Sequence, residues 1–258
     1  DAEIERIGDE AGRLYTETGC ALVYNLPGAS LGDISDIPGP GLKEPKGIRS
    51  EEEWYISTVL RGDYVFEVLS RQCDIALDNL KRAREALGDR IEVVKITGAD
   101  FGTQRGPLYS PDVYRGLFKP FHARLCAWVH QNTSWKTFIH TCGGIRPLME
   151  DFIDAGFDII NPVQTSASGM EPGLLKRDFG DRIVFWGGGV DTQHTLPFGA
   201  PEMVYREVRK NISVFNRNGG FIFNAIHNIQ AGTPAKNILA MLEAIKDSRA
   251  EDSSDGTL

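Results

Sequence analysis

The sequence predicts an α/β fold of the (βα)8 TIM-barrel type, in which parallel strands alternate with helices that pack around them. Three observations support this prediction. Strand-like and helix-like segments alternate along the chain. The strand-like segments are apolar on both faces, as expected of strands that are buried from both sides. Polar side chains follow the carboxyl ends of these segments, the edge at which (βα)8 enzymes assemble their active sites.

Six segments have the apolar, β-branched composition of strands. They are residues 20–25, 92–97, 137–141, 158–163, 183–186 and 221–225. Apolar residues at helical spacing predict helices at residues 51–61, 64–87, 111–131, 146–155, 171–179, 201–217 and 235–250. A further amphipathic helix is predicted at the start of the chain, where Ile4, Ile7, Ala11 and Leu14 recur at helical spacing.

Composition is that of an ordinary globular chain. Its 258 residues, 41% hydrophobic and 25% charged, are enough for one large core or two modest ones, and no shift in composition marks a second domain. We therefore expect residues 1–258 to form a single barrel domain. A long Pro/Gly-rich loop is predicted at residues 27–47, and a flexible acidic tail at residues 248–258.

Charge and cysteine content limit the classes of partner. A net charge of −8 without a Lys/Arg cluster argues against nucleic acid and anionic membranes as main partners. No apolar run approaches the ~20 residues of a membrane span. The four cysteines lie far apart, which favours reduced thiols over a disulfide framework. These features predict a cytoplasmic protein that acts on a small-molecule substrate, and they leave a homo-oligomer open.

The most informative pair of residues is His140 and Cys142, which end a predicted strand just before two glycines. In extended backbone, side chains two residues apart point the same way, so this imidazole and thiol can share one small volume. Both groups are zinc ligands. The alternative interpretation is a buried histidine beside an inert thiol.

His227 follows the last predicted strand and is expected at the same rim, although it is remote in sequence. Two histidines and one thiolate leave a fourth position open, as in catalytic zinc sites. The alternative is a loop histidine that bonds backbone or substrate directly. Cys73 and Cys126 fall within predicted helices and are not expected to reach the rim.

Further polar residues follow the other strands. Three glycines precede Asp191 and His194, which form either a titratable pair or a tight turn with a capping aspartate. Asp100 is suited to binding a polar substrate or orienting a ligand, with a solvated loop aspartate as the alternative. The predicted catalytic residues are Asp100, Gln164 and Asp191, and the predicted cofactor-binding residues are Asn25, Gln104, Trp186 and His194.

Four motifs, in this order, resemble the uroporphyrinogen decarboxylase superfamily and, more narrowly, its zinc-dependent, corrinoid-linked methyltransferase branch. They begin at His140-Thr141-Cys142-Gly143, Asp158-Ile159-Ile160-Asn161, Phe185-Trp186-Gly187-Gly188 and His227-Asn228-Ile229-Gln230. The similarity extends over nearly all of residues 20–247. Family members are (βα)8 barrels, so the resemblance implies that about two βα units are missing at the start of this chain.

The resemblance also implies a metal set. In the methyltransferase branch, a His-x-Cys at a strand end and a cysteine after the last strand bind zinc that activates a thiol. His140 and Cys142 match the first two ligands, and His227 stands where the branch has its last cysteine. Uroporphyrinogen decarboxylases themselves have a histidine in the corresponding loop, so His227 fits either branch.

Three hypotheses follow. The first is a zinc-dependent methyltransferase in which His140, Cys142 and His227 hold Zn²⁺, and a methyl group passes between a methylcorrinoid on a partner protein and a thiol-type acceptor. The second is uroporphyrinogen decarboxylase, which removes carboxyl groups from tetrapyrrole acetate side chains without a metal. The third is an inactive paralogue that binds a partner corrinoid protein.

Overall fold

The computed structural model of the chain describes residues 2–34, 43–44 and 46–255. It confirms the predicted α/β class: six strands form a mostly parallel sheet with helices around it, in a partial TIM-barrel-like arrangement. Residues 35–42 and 45 of the predicted loop 27–47 lie outside the described residues, and so do residues 256–258 of the predicted tail.

All six predicted strands are present; five of them are shorter than predicted, and β5 has the predicted length but begins and ends one residue earlier. In chain order the strands are β1 (Val23–Asn25), β2 (Val93–Thr97), β3 (Gly102–Thr103), β4 (Gly106–Pro107), β5 (Lys136–His140), β6 (Ile159–Asn161), β7 (Val184–Trp186) and β8 (Phe221–Ile222). The order in the main sheet is β1-β2-β5-β6-β7-β8. The other two strands, β3 and β4, pair antiparallel as a small hairpin that the sequence did not predict.

The helices also follow the prediction closely. They are α1 (Ala2–Glu17), α2 (Glu51–Leu60), α3 (Gly62–Leu87), α4 (Pro111–Val113), α5 (Lys119–Asn132), α6 (Met149–Asp154), α7 (Pro172–Phe179), α8 (Thr195–Phe198), α9 (Pro201–Phe215) and α10 (Ala235–Asp255). A turn of π-helix, Tyr114–Phe118, joins α4 to α5 within the helix predicted at residues 111–131. The short α8 was not predicted. Helix α10 continues to Asp255, so most of the segment predicted as a tail is helical.

The prediction that every strand is buried on both faces is wrong for the two outer strands. In β1, Val23 and Asn25 are exposed, and in β8 Ile222 is exposed. The inner strand β6, in contrast, is buried throughout. Since β1 and β8 are the first and last strands of the sheet order, an apolar composition alone did not distinguish outer from inner strands.

The described chain divides into two compact units. Unit 1 comprises Asp1–Phe101, Leu108–His140 and Pro147–Ile159, and unit 2 comprises Gly102–Pro107, Thr141–Arg146 and Ile160–Leu258. The expectation of a single barrel domain stays a prediction. Among the described residues, no helix combines the length and the apolar character that crossing a membrane requires.

Unit 1 is built around a cluster of buried aromatic rings. Phe101 packs edge-on against Tyr114, Phe118 and His122, with ring centroids 5.3, 5.2 and 5.7 Å away. The Tyr114 hydroxyl lies 3.0 Å from Nδ1 of His122, and both side chains are fully buried. Burial lowers the pKa of His122 to about 3, so the imidazole is neutral at pH 7.

Unit 2 has an aliphatic core in which α8, α9 and α10 pack with the segments that follow β7 and β8. Its buried members are Val190, Leu196, Val204, Val208, Ala225, Ala240, Met241 and Ala244. Because Val190 and Ala225 belong to these segments, the core holds the loops that follow the carboxyl ends of two strands.

The neutral His122 predicts a specific acid sensitivity. In the unfolded chain the imidazole gains a proton below pH ~6.5, whereas in the folded chain it does so only near pH 3. The stability due to this group is therefore fully present above pH 6.5 and is lost as the pH falls from 6.5 towards 3, by at most ~1.4 kcal/mol per pH unit. Urea unfolding at pH 7 and pH 4.5 measures it, and His122→Phe is expected to lose less stability than the wild type between these two values.

The matched control is Tyr114→Phe, which breaks the same buried hydrogen bond but keeps the titrating imidazole. This variant is expected to be less stable at both pH values and to retain the wild-type dependence on pH. Equal pH dependence in the two variants would contradict the assignment to His122.

Candidate metal centre and adjoining cavities

His140, Cys142 and His227 come together at the ends of their strands. His140 is the last residue of β5, Cys142 follows two residues later, and His227 lies in the loop after β8. One nitrogen from each imidazole and the Cys142 sulfur all lie within 4.8 Å of one another. His140 and Cys142 are half-buried and His227 is exposed. Two imidazoles and a thiol are donors that zinc prefers, and three protein ligands leave a position for water or substrate.

The size of this cluster is compatible with one metal ion. In a tetrahedral site, zinc–ligand bonds of about 2.0–2.3 Å place two ligand atoms of one ion about 3.3–3.8 Å apart. The three ligand atoms lie within 4.8 Å of one another, so side-chain shifts of up to about 1 Å bring them to that spacing. The donor set is therefore compatible with zinc.

The turn that carries Cys142 is fixed by close backbone packing within unit 2. Gly143 has a φ of +90°, and a Cβ at this position would lie 2.4 Å from the carbonyl carbon of Gly102 in β3. The amide of Gly144 donates to the Thr103 carbonyl at 2.8 Å. The amide of Gly143 donates to Oε1 of the buried Gln164 at 2.9 Å. Only glycine fits at position 143, because any side chain would collide with the hairpin.

The loop that carries His227 is tied to the loop after β7. The Ile226 amide donates to the Val190 carbonyl at 3.0 Å, and the Thr192 hydroxyl donates to the Ile226 carbonyl. His227 itself has a φ of +65°. Non-glycine residues rarely adopt this left-handed conformation, and such residues cluster at functional sites.

Asp191 organises the loop after β7. Its side chain is buried; Oδ1 accepts from the Gln193 amide at 2.9 Å, and Oδ2 lies 2.9 Å from Nδ1 of His194. The Asp191 amide donates to Oε1 of Glu207 at 2.7 Å. The carboxylate thus holds one ring nitrogen of the exposed His194 and leaves Nε2 for a ligand.

Two cavities adjoin this site, both lined by unit 2. The inner cavity has a volume of about 390 Å³, and its lining includes Cys142, Gly143, Gln164 and His227. The outer cavity has a volume of about 820 Å³. Its lining includes Ser166, His194, Pro197, Phe198 and Thr233. The two cavities share four polar residues, which are Gln104, Thr192, Gln193 and Gln230.

Four of the other predicted site residues belong to this arrangement. Gln164 and Gln104 line the cavities, His194 lines the outer one, and Asp191 holds His194. Their catalytic and cofactor-binding roles stay predictions.

Three predicted site residues are not among the residues that line the two cavities. Asn25 is exposed on the outer strand β1 of unit 1. Trp186 is half-buried at the end of β7, and its carbonyl accepts from the Asn161 side-chain amide at 2.8 Å. Asp100 is half-buried in unit 1; the pKa of Tyr55 is raised by burial, by Glu51 and by this carboxylate.

Of the four residues that join the two cavities, the sequence singled out only Gln104. Gln193 lies only two positions beyond Asp191, yet glutamine in a loop carries no periodic signal. Gln104 was predicted, but the hairpin that presents it, formed by β3 and β4, was not. Phe198 belongs to α8, a four-residue helix too short to predict from spacing.

The other three cysteines are not members of the described cluster of candidate ligands. Cys73 in α3 and Cys126 in α5 are buried, and burial raises the pKa of both thiols. Cys20 is exposed ahead of β1. The Cys73 and Cys126 thiols are poor zinc ligands or nucleophiles at pH 7, because the thiolate is the reactive form and burial disfavours it.

The fold and the site define a class: a TIM-barrel-like α/β protein with a candidate metal set where the strands end. The family model described as Uroporphyrinogen decarboxylase (URO-D) matches residues 63–248, and the chain therefore belongs to this family.

Two known proteins are similar to this chain. A uroporphyrinogen decarboxylase from Methylococcus capsulatus is 26% identical over 99 residues, which are 38% of this chain and 26% of that protein. A methyltransferase from Methanosarcina mazei has a similar structure, with a TM-score of 0.64 and 17% identity over 95% of this chain and 63% of that one. At this identity the second likeness shows the fold. The chain spans less than two thirds of the length of either relative.

The packing of Gly143 predicts the effect of an added methyl group. Gly143→Ala is expected to lower the free energy of unfolding by about 2–4 kcal/mol, because the new Cβ meets backbone of β3 in addition to the unfavourable φ. Gly219→Ala is the matched control, since Gly219 has a φ of +76° with no atom within 4 Å of an added Cβ, and is expected to cost only about 1 kcal/mol. Urea unfolding measures both, and equal losses would contradict the role given to the hairpin.

Proposed function

We propose that this chain is the metal-binding part of a zinc-dependent methyltransferase of the URO-D superfamily, which passes a methyl group from a corrinoid on a partner protein to a thiol-type acceptor. In the overall reaction the sulfur lone pair forms the new S–C bond and the thiol proton goes to solvent. The electron pair of the broken Co–C bond stays on cobalt, which becomes Co(I).

The observation that carries this proposal is the convergence of His140, Cys142 and His227 within 4.8 Å. These three side chains would hold the zinc ion. Bound zinc would lower the pKa of a thiol ligand and keep it as the nucleophilic thiolate at neutral pH.

The chain's own residues would position the acceptor. The inner cavity is lined by Cys142 and His227, so a thiol that enters it comes beside two of the three ligands. Gln164 fixes the turn around Cys142 through the Gly143 amide, and Thr192 fixes the loop around His227 through the Ile226 carbonyl. These contacts hold two distant segments in place before the substrate binds, which lowers the cost of ordering them on binding.

The cavity lining favours a methyltransferase over a decarboxylase of tetrapyrroles. Tetrapyrrole acetate groups are carboxylates, and a site for several carboxylates needs cationic partners. Neither cavity has a lysine or arginine among its lining residues. Two arginines, Arg105 and Arg146, follow strand ends in the sequence. Arg146 forms an ion pair with Asp178, and Arg105 is exposed in the turn between β3 and β4 and is not among the residues that line either cavity. The methyltransferase from Methanosarcina mazei, whose fold this chain shares, is consistent with the same proposal.

Zinc binding is the first test. The purified chain, stripped of metal and titrated with Zn²⁺ against a chromophoric chelator, is expected to bind one equivalent. His140→Ala, Cys142→Ser and His227→Ala each remove a ligand and are expected to weaken binding by about 10²-fold or more. Cys20→Ser removes an exposed thiol outside the cluster and is expected to leave the affinity unchanged. Wild-type affinity in all three ligand variants would refute the metal set.

Methyl transfer is the second test. The zinc-loaded chain is expected to accelerate demethylation of methylcobalamin by 2-mercaptoethanol, followed by the loss of the methylcobalamin absorbance and by mass spectrometry of the thioether. Cys142→Ser is expected to reduce the rate by about 10²-fold or more, because thiol activation needs the intact ligand set. Cys20→Ser serves again as the control. Release of carbon dioxide from uroporphyrinogen in the presence of a strong chelator, with no methyl transfer, would favour the decarboxylase instead.

A further inference from the structure

We infer that the outer cavity binds an uncharged, flat ring with a lactam edge, in which a ring carbonyl lies next to a ring N–H, and that Gln104 and Gln193 recognise this edge. The inference goes beyond the proposed function: it concerns a ligand of the outer cavity and does not depend on the reaction that the chain catalyses.

The paired amides of Gln104 and Gln193 are the central observation. Nε2 of Gln104 donates to Oε1 of Gln193 at 3.0 Å. A primary amide has two N–H groups and a carbonyl with two lone pairs, so this bond leaves donors and acceptors on both side chains. In the described part of the chain these two side chains make no other hydrogen bond. Whichever way the two amides are turned, the pair offers a donor beside an acceptor, the complement of a lactam edge.

Both glutamines are held in place through their backbones. The Gln104 carbonyl accepts from the Ser168 amide at 3.0 Å, and the Gln193 amide donates to the Asp191 carboxylate at 2.9 Å. The two side chains come from different segments, the turn between β3 and β4 and the loop after β7. Their mutual hydrogen bond therefore fixes the relative position of the two amides before a ligand arrives, which favours recognition of a rigid edge over a flexible chain.

The residues that line the two cavities disfavour a charged ligand. Its ionisable members are Cys142, His194 and His227, and no lysine or arginine is among the lining residues of either cavity. The residues outside the described part of the chain contain no lysine or arginine either. An anionic ligand would lose its hydration without gaining a fixed cationic partner, so the neutral form of a ring binds better than its carboxylated form.

An aromatic surface completes the site. Phe198 lines the outer cavity next to Pro197, and 83% of its surface is exposed. An exposed phenyl ring at the wall of a cavity is costly in water and gains from stacking on a flat ligand. A volume of about 820 Å³ accommodates a heterocycle with a substituent.

Three related ligands test the inference on the full chain by ligand-observed NMR titration. Uracil has the lactam edge, 1,3-dimethyluracil lacks its N–H groups, and orotate carries the same ring with a carboxylate. Uracil is expected to bind about fivefold or more tightly than either of the others, because each of them removes a hydrogen bond or adds an unpaired charge. Equal affinity for uracil and 1,3-dimethyluracil, or tighter binding of orotate, would overturn the inference.

Variants locate the binding and separate this inference from the proposed function. Gln193→Leu and Phe198→Ala are each expected to weaken uracil binding by about threefold to tenfold, while Gln72→Leu, on the exposed face of α3, leaves it unchanged. Unchanged affinity in Gln193→Leu would refute the assigned pair. Cys142→Ser is expected to lose zinc and methyl transfer but to keep uracil binding. A wild-type chain that binds uracil but catalyses no methyl transfer would count against the proposed function alone.

Discussion

The close approach of the His-x-Cys turn to the small hairpin of β3 and β4 is the constraint on which the candidate site depends. Gly143 and Gly102 pack backbone against backbone, at a distance that leaves no room for a Cβ at position 143. This contact sets the direction in which the chain leaves β5 and therefore where the Cys142 thiol lies. It also carries the hairpin turn with Gln104 to the edge of the cavities. A metal ligand and a ligand-binding amide are thus positioned by the same backbone contact.

Much of the fold could be predicted because its signals are local. Runs such as residues 92–97 and 137–141 are apolar and β-branched, and the long helices have apolar residues at regular spacing. The observed bounds of helices and strands differ from the predicted ones where local signals compete with tertiary contacts. The π-helical turn at Tyr114–Phe118 depends on a cluster of rings drawn from several elements, and α8 is too short to have a period. The exposed faces of β1 and β8 depend on neighbours in the sheet, which composition does not reveal.

In the candidate site, too, some residues could be predicted from local signals and others depend on tertiary contacts. His140 and Cys142 could be predicted to share a volume because their spacing in extended backbone dictates it. The joining of His227 to them depends on how the loops after β7 and β8 bond to one another. Its position after the last strand predicted the same rim, but left a loop histidine that bonds backbone or substrate as an alternative. Asn25 and Trp186 also lie at strand ends, yet the chain after each strand does not carry them into the cavities. Position at a strand end was therefore necessary but not sufficient.

The buried carboxylate of Asp191 has a consequence for how this protein can change over evolutionary time. One oxygen orients His194 and the other fixes the backbone of Gln193, so one side chain governs an imidazole and an amide that face the same cavity. A substitution at Asp191 that removes both carboxylate oxygens alters both at once. Evolution toward a new ligand is therefore easier at peripheral positions such as Phe198, because replacing this side chain changes neither the imidazole of His194 nor the amide of Gln193.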